Sequence, residues 1–346
     1  MEEYKNILIV RTDRLGDVVL TTPSIKALRN AYPKAQISII VASATRELLE
    51  ANPYLDEIIV DDRKGINNGF VGFLRLVDFV RKKKFDLAIL FHTKRRTNLL
   101  CFLAGIKNRI GYKNNKFGFL LTKPINDERH YGKKHEAEYC LDVLKHIGLE
   151  SKDLDMHVSV KKESEQWMYS FLHQNKISDD DCFICIHPGA SDPAKRWPKN
   201  NFAELIDELV KKYNSKIVIV GSSDVRPIAK EILSSINSSI LDLSGKTTVG
   251  ELASLLMRAD LLISNDSGPV HLAAALNTPV ISIFTRNQPG INPERWKPLG
   301  DKSIIVSVKP HKPRNIFQKS QKIDSKDLEL IATNEILEAV DSVFKL

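Results

Sequence analysis

Long apolar runs are missing from this 346-residue chain. No stretch approaches the roughly 20 residues that cross a bilayer as a helix. The opening MEEYKN has neither the basic n-region nor the apolar h-region of a secretory signal, so a cytoplasmic protein is expected. Cysteine is scarce as well. The four residues Cys101, Cys140, Cys182 and Cys185 do not make the dense framework of a disulfide-stapled domain. Cys182 and Cys185 spell CxxC, but within CFICIHPG, which reads as a buried strand. Side chains three apart on a strand point to opposite faces, so two core cysteines are expected rather than a zinc site. Nucleotide-binding signatures are absent too. The first strand is followed by a lone glycine, Gly16, where GxGxxG needs three, which disfavours a dehydrogenase. SGKTT (Ser244–Thr248) resembles the end of a P-loop, but Ile240 stands where that motif requires glycine. Neither HExxH nor an EF-hand pattern occurs.

What is present is the composition of a globular protein, 42% hydrophobic and 27% charged, at a length that suggests two domains. The net charge of +8 is unevenly placed: Arg63 to Lys134 holds 18 Lys/Arg against 4 Asp/Glu, and the rest of the chain 33 against 39. One region carries the basic character. That points to an anionic partner, namely nucleic acid, an acidic membrane surface or a charged substrate, rather than to a merely solvated face.

Apolar, β-branched runs alternate with helical patterns along the whole chain. NILIV, QISIIV, EIIVDD, DLAILF and NRIGY come first, then CFICIH, KIVIVGS, SILDLSG, LLISND, PVISIF and SIIVSV. Such strands imply parallel sheets covered on both faces. The expected fold is therefore α/β, with two Rossmann-like, doubly wound domains facing across a cleft. The pattern lapses into charge between Gly148 and Gln166. This places a first domain at residues 1–160, a second at 161–325 and a closing helical segment at 326–346, with Thr333 as N-cap. The polar KPHKPRNIFQKSQKIDS before it reads as loop. In open α/β sheets ligands sit beyond the carboxyl ends of the strands, so the loops after strands are the places to search.

Three such loops stand out. In NDSGPVHLAAALNTPV, a strand ends at Asn265 and Asp266, Ser267 and Gly268 turn the chain, and Pro269 opens a helix carrying His271. Free N–H groups at that positive helix end suit a diphosphate, although Asp266 and Ser267 also read as simple caps and His271 as a core histidine. In HPGASDPAKRWP, the small residues Gly189, Ala190 and Ser191 allow close backbone approach, and Lys195 and Arg196 suit phosphate charge. The alternative is solvent charges beside a structural Trp197. In RTDRLGDVVLTTP, Asp17 reads either as an N-cap or as a general base at the end of a strand. Arg11 and Arg14 read as anion ligands or as partners of Asp13.

Together the three segments resemble the lipopolysaccharide heptosyltransferases, glycosyltransferase family 9, over essentially the whole chain. The resemblance implies the GT-B fold, with the donor held mainly by the second domain. It also implies inverting transfer of heptose from ADP-heptose to the inner-core oligosaccharide of lipopolysaccharide, on a lipid A acceptor. By the same resemblance Asp17 is the catalytic base and Lys195 neutralises the donor diphosphate. Gly189, Ala190, Ser191, Asp266, Ser267, Gly268 and His271 line the donor site. Apart from the resemblance, GSSDVRP after the second strand of that domain offers Asp224 as a ribose ligand. Arg11, Arg14, Lys94, Arg95 and Arg96 are the candidates to meet the anionic acceptor, with Arg109 and Lys113 beside them. No metal or other cofactor is implied, because a lysine and a helix N-terminus do that work.

The amphipathic FVGFLRLVDFVRKKK (Phe70–Lys84) reads as an interfacial helix in peripheral contact with the cytoplasmic face of the inner membrane, or as a helix packed on the sheet with a charged outer face. Two features depart from the family pattern. Thr285–Trp296 replaces a glycine-containing turn, and the tail lacks a cysteine-containing stretch. Another nucleotide sugar or a protein acceptor is the alternative reading. Nucleic acid is not expected, since Phe91, Phe102, Tyr112, Phe117 and Phe119 fall largely in apolar runs that look like core. Oligomeric state is left open by the sequence.

Overall fold

A computed structural model describes residues 3–308 and 331–345. The polar stretch 309–325, expected as loop, lies outside the described residues. Contacts divide the chain into two compact units, Met1–Ser159 and Val160–Leu346.

The first unit holds β1 (Asn6–Val10), β2 (Gln36–Ala42), β3 (Glu57–Asp61), β4 (Leu87–Leu90), β5 (Asn108–Tyr112) and β6 (Lys123–Ile125). Its helices are α1 (Leu15–Val19), α2 (Thr22–Ala31), α3 (Gly69–Lys82), α4 (Arg95–Leu103) and α5 (Glu136–Lys145). The second unit begins with α6 (Lys162–Gln174). It continues with β7 (Phe183–His187), α7 (Lys199–Tyr213), β8 (Lys216–Ile219), α8 (Arg226–Leu233), β9 (Leu241–Asp242) and α9 (Val249–Arg258). Then come β10 (Leu261–Asn265), α10 (Gly268–Ala275), β11 (Val280–Phe284), α11 (Pro293–Trp296), β12 (Ser303–Ser307) and α12 (Thr333–Phe344).

Every strand pairing is parallel. The orders are β3-β2-β1-β4-β5-β6 and β12-β11-β10-β7-β8-β9, the same winding twice. In each sheet the chain reverses direction between the first and fourth strand, and the crevice beyond that switch point is where open α/β sheets bind ligands. The loops after β1 and β4, and after β7 and β10, are therefore the ones positioned for chemistry.

The continuous apolar runs form these strands because both faces are covered. On one face of the first sheet Leu8, Val10, Ala88 and Leu90 pack with Phe73, Leu76 and Val77 of α3 and Leu100 of α4. In the second, Ile184, Ile186, Leu261 and Ile263 pack with Phe202, Leu205 and Ile206 of α7 and Ile336 and Val340 of α12. Each such side chain, fully buried, contributes about 1.5–3 kcal/mol.

Differences from the sequence expectation fall at the edges and caps. β6 is three residues with Pro124 inside, tolerated because an edge strand has one unpaired side. β9, the opposite edge of the other sheet, shortens to two residues. Thr333 is the first helical residue of α12 rather than its N-cap, and its Oγ1 donates to Glu204 at 2.6 Å. The P-loop-like SGKTT ends in Thr248, which caps α9 by accepting from the Glu251 N–H at 3.2 Å. Asp153 and Asp155 both ion-pair with Lys26 of α2, at 2.7 and 3.3 Å. No described helix is long and apolar enough to cross a membrane.

Candidate active site

The crevice of the first unit is built around one buried cation. Arg11 leaves the end of β1 with its side chain 1% exposed. Its Nη2 lies 2.7 Å from Asp17 and 3.2 Å from Glu136 of α5, and its Nε 3.0 Å from Asp13. Its Nη1 donates to the Phe91 carbonyl after β4 at 3.3 Å. Burial alone would depress the guanidinium pKa, but the surrounding carboxylates, Asp13 first, hold it well above its ordinary value. Of the two readings of Arg11, anion ligand or partner of Asp13, the structure shows the pairing, by which it positions Asp13 and Asp17.

Asp17 does not cap α1; it is the third helical residue, and Arg14 occupies the N-cap position. Its carboxylate is 16% exposed. Burial raises the Asp17 pKa, Arg11 opposes the rise, and the neighbouring charges of Asp13 and Glu136 add to it. Asp13 is raised by burial in the same way. His92, after β4, sits 3.7 Å from Asp13, and burial pushes its pKa down to about 3, so it is neutral at pH 7.

Replacing Arg11 should leave three carboxylates without their counter-ion. Arg11→Met is expected to destabilise the first unit by about 3–5 kcal/mol, the cost of breaking a buried ion cluster. Chemical denaturation followed by circular dichroism reads this, since all three tryptophans lie in the second unit; a loss below about 1 kcal/mol, the scale of a surface pair, contradicts it.

Cations ring this crevice. Lys94 occupies the N-cap position of α4, and burial lowers its pKa, with Arg63, Lys116 and Arg14 adding like-charge repulsion and Asp13 opposing them. Lys94, Arg14, Arg63 and Lys116 thus share one electrostatic neighbourhood with Asp13, and the sequence reading missed Arg63 and Lys116. Arg96 is a correction: it forks onto Asp61 at 3.0 and 2.8 Å, donates to the Asn67 carbonyl and lies over the Phe73 ring. Its charge is spent inside the unit. Arg95 is exposed, 6.0 Å from the centre of the Phe117 ring. Arg109 donates to the Leu120 carbonyl at 2.8 Å, on the β5–β6 side of the sheet.

In the second unit the loop after β7 is stitched to β10. Asn265 donates to the Pro188 carbonyl at 2.7 Å and accepts from the Trp197 N–H at 2.9 Å. Trp197 is 1% exposed and donates to the Ile331 carbonyl, a structural role. Asp192 accepts from the Ala194 N–H at 3.0 Å and from Arg286 at 2.5 Å, and Thr285 donates to the Ala194 carbonyl. The segment Thr285–Trp296 therefore holds this loop from the β11 side.

Held so, Lys195 forms an ion pair with Asp266, whose carboxyl pKa is raised by burial and lowered again by Lys195. Asp266 and Ser267 are not side-chain caps. Asp266 is taken by Lys195, and Ser267 bonds with His187 Nδ1 and Ser264 Oγ, each at 3.0 Å, and with the Asn265 carbonyl. The first turn of α10, Gly268 onward with Pro269 second, has no side-chain cap. Pro269 carries no N–H and Val270 donates to the Ser267 carbonyl at 3.2 Å, which leaves the Gly268 N–H at this positive end to face an anion.

His187 is a further residue missed in the sequence. It ends β7 fully buried, and burial brings its pKa down to about 4, so it enters the cluster neutral. Gly189 is needed for its sake: a Cβ there would meet Val225 at 2.6 Å and His187 Nε2 at 3.1 Å. The close approach at Gly189 is thus to the protein's own side chains. Ala190 is buried and Ser191 exposed. Asp224 is exposed at the end of the β8 loop, near enough for its charge to act on His187. His271 is 3% exposed, its ring 6.5 Å from that of Trp296. Among the described residues no group of three or more His, Cys, Asp and Glu is placed to hold a metal ion, and all four cysteines are free.

Comparison with known proteins agrees on one family. A sequence model described as Glycosyltransferase family 9 (heptosyltransferase) matches residues 73–326. Lipopolysaccharide heptosyltransferase 2 of Escherichia coli K12 is 26% identical over 314 residues, which cover 87% of this chain and 88% of the relative. The crystal structure of the glycosyl transferase family 9 from Veillonella parvula superposes with a TM-score of 0.85 at 25% identity, covering 98% and 97% of the two chains. E. coli heptosyltransferase WaaC with ADP shares the fold, with a TM-score of 0.70 at 16% identity over 98% and 99%.

Proposed function

Because the chain belongs to glycosyltransferase family 9 and to the heptosyltransferases of lipopolysaccharide core synthesis, we propose that it transfers heptose from ADP-heptose to the inner-core oligosaccharide carried on lipid A. Asp17 is the base. It takes the proton of the acceptor hydroxyl as that oxygen bonds to the anomeric carbon, while the carbon–oxygen bond to the diphosphate breaks on the opposite face and ADP leaves with the electron pair. The configuration inverts. The observation that carries this reading is a partly exposed carboxylate of raised pKa, held by a buried arginine at a switch point whose cations are Arg14, Lys94 and Lys116, with Arg63 beside them paired to Asp61 at 2.9 Å. A base needs a pKa raised toward the working pH, and an acceptor bearing carboxylates and phosphates needs cations. Lys94 and Arg95 also stand at the positive end of α4, where the helix dipole disfavours them unless an anion is bound.

On the donor side the diphosphate displaces Asp266 from Lys195, and the uncapped first turn of α10 receives the charge that grows as ADP departs. Neither element calls for a metal ion. ADP as the nucleotide is supported by the family, one of whose folds was solved with ADP. The lipid of the acceptor puts the reaction at the cytoplasmic face of the inner membrane.

Calorimetric titration with ADP, UDP and GDP tests the donor. ADP is expected to bind at least about tenfold, or 1.4 kcal/mol, more tightly than the other two. Preference for UDP or GDP would instead favour a different nucleotide sugar, which the unusual Thr285–Trp296 segment beside the loop would then have to select.

A further inference from the structure

Isolated apolar side chains on a surface are ordinary, whereas a contiguous set marks an interaction site. Eleven large hydrophobic residues are exposed among the described residues, and eight of them belong to the layer formed by α3, α4 and the following turn. Ile66, Phe70 and Val71 are 70%, 75% and 62% exposed and lie with Leu74 at the start of α3, while Phe119 is 77% exposed beside Phe117. This corrects the expectation that Phe102, Phe117 and Phe119 are core; Phe91 and Tyr112 are.

These elements adjoin. α3 packs on α4, with Arg81 donating to the Leu103 carbonyl at 2.8 Å, and α4 packs on the turn Gly118–Leu120. The opposite side of α3 is already used, since Phe73, Leu76, Val77 and Val80 are buried against the sheet. Cations are interleaved with the exposed groups. Lys83 lies over Phe79, Arg109 over Phe102 and Arg95 near Phe117, at 5.1, 5.5 and 6.0 Å from the ring centres. Arg75, Arg81, Lys82 and Lys84 are exposed on the same helix and its end.

We infer that this α3–α4 face docks the protein on an anionic lipid bilayer, the start of α3 entering the headgroup boundary and the basic residues resting on the headgroups. Charge and shape select that occupant. The excess of positive charge concentrated in Arg63–Lys134 repels a second copy of this face and attracts an anionic surface. Phe70, Phe79, Phe102, Phe117 and Phe119 could stack on bases, but the exposed start of α3 sets Phe70 among the aliphatic Ile66, Val71 and Leu74. These offer bases nothing and are what an interfacial helix bordered by Lys and Arg presents. The inference deepens the reading of a lipid-linked acceptor. It is nevertheless measured without any transfer reaction.

Co-sedimentation with vesicles of phosphatidylethanolamine and phosphatidylglycerol, against vesicles of phosphatidylcholine alone, tests it. The full chain is expected to bind the anionic vesicles, and less so as salt is raised. Phe70→Ser/Val71→Ser/Leu74→Ser should weaken partitioning by about tenfold or more, and Arg75→Glu/Lys84→Glu should weaken it comparably. Tyr169→Ser, at an exposed site of the other unit, should bind as wild type. All variants should keep the wild-type melting curve and ADP affinity, so that loss of docking is separable from failure of the donor site. Unchanged partitioning of the triple variant overturns the inference. So does a wild type that ignores anionic vesicles, whether it binds single-stranded RNA or self-associates through this face instead.

Discussion

Asp17→Asn is expected to lower kcat by about 10³–10⁴-fold, the upper range for loss of a general base, with ADP affinity unchanged. The amide keeps a hydrogen-bonding oxygen for Arg11 Nη2, which now donates to Asp17 at 2.7 Å, so the cluster should survive and the loss be chemical. The pH profile carries a second signature. The base works only when deprotonated, and burial raises its pKa above the ordinary carboxylate value. Wild-type kcat should therefore fall as pH drops, beginning above the about 3.9 expected of an exposed aspartate. The charges of Asp13 and Glu136 act on Asp17 as well, so the apparent pKa is that of the carboxylate cluster. A variant with near-normal kcat, or with the wild-type acidic limb intact, removes Asp17 from the chemistry.

The second large effect is expected at Lys195. Lys195→Ala should reduce kcat by about 10²–10³-fold, as when one preorganised oxyanion partner is removed, and should weaken ADP binding. It should also cost stability, because Asp266 is 7% exposed and loses its counter-ion. About 3 kcal/mol is the scale for breaking such a pair. The sign with pH follows from burial. The folded-state pKa of Asp266 is raised, so the protonated form is the one the fold favours, and stability is lost as pH rises through that pKa. The deficit of the variant should therefore shrink as pH falls toward the ordinary carboxylate range. Adding Asp266→Asn should restore stability at neutral pH without restoring turnover. Recovery of both would make the pair merely structural.

Both sites were legible in the sequence as loops, and much less so as constellations. The central strands could be read because each is a buried β-branched run. β6 could not, since it is an edge strand of three residues with a proline inside, and β9 was read in SILDLSG but pairs over only two residues. The site loops were found by type: small residues and cations after CFICIH, the NDSG turn after LLIS, and a charged loop after NILIV. Their partners come from elsewhere in the chain. Glu136 meets Arg11 across 125 positions, and Arg63 and Lys116 reach the same crevice from other loops. One signal for Glu136 was available: it shares a helical stripe with Cys140 and Leu144, a carboxylate on an otherwise buried face. His187 had a similar sign, a titratable residue closing a fully apolar strand. Arg96 misled because three basic residues in a row look alike in sequence, while only the fold brings Asp61 to the last of them. The coincidence of β1 with β4, and β7 with β10, is a property of strand order and is not written in any one segment.

The most direct test of the central claim is mass spectrometry of a lipid A-linked core acceptor lacking heptose, incubated with this protein and ADP-heptose in the presence of a metal chelator. The account predicts the gain of one heptosyl residue by wild type, and no detectable gain by Asp17→Asn over the same time. An acceptor left unchanged by the wild type, or modified equally well by the variant, would contradict it.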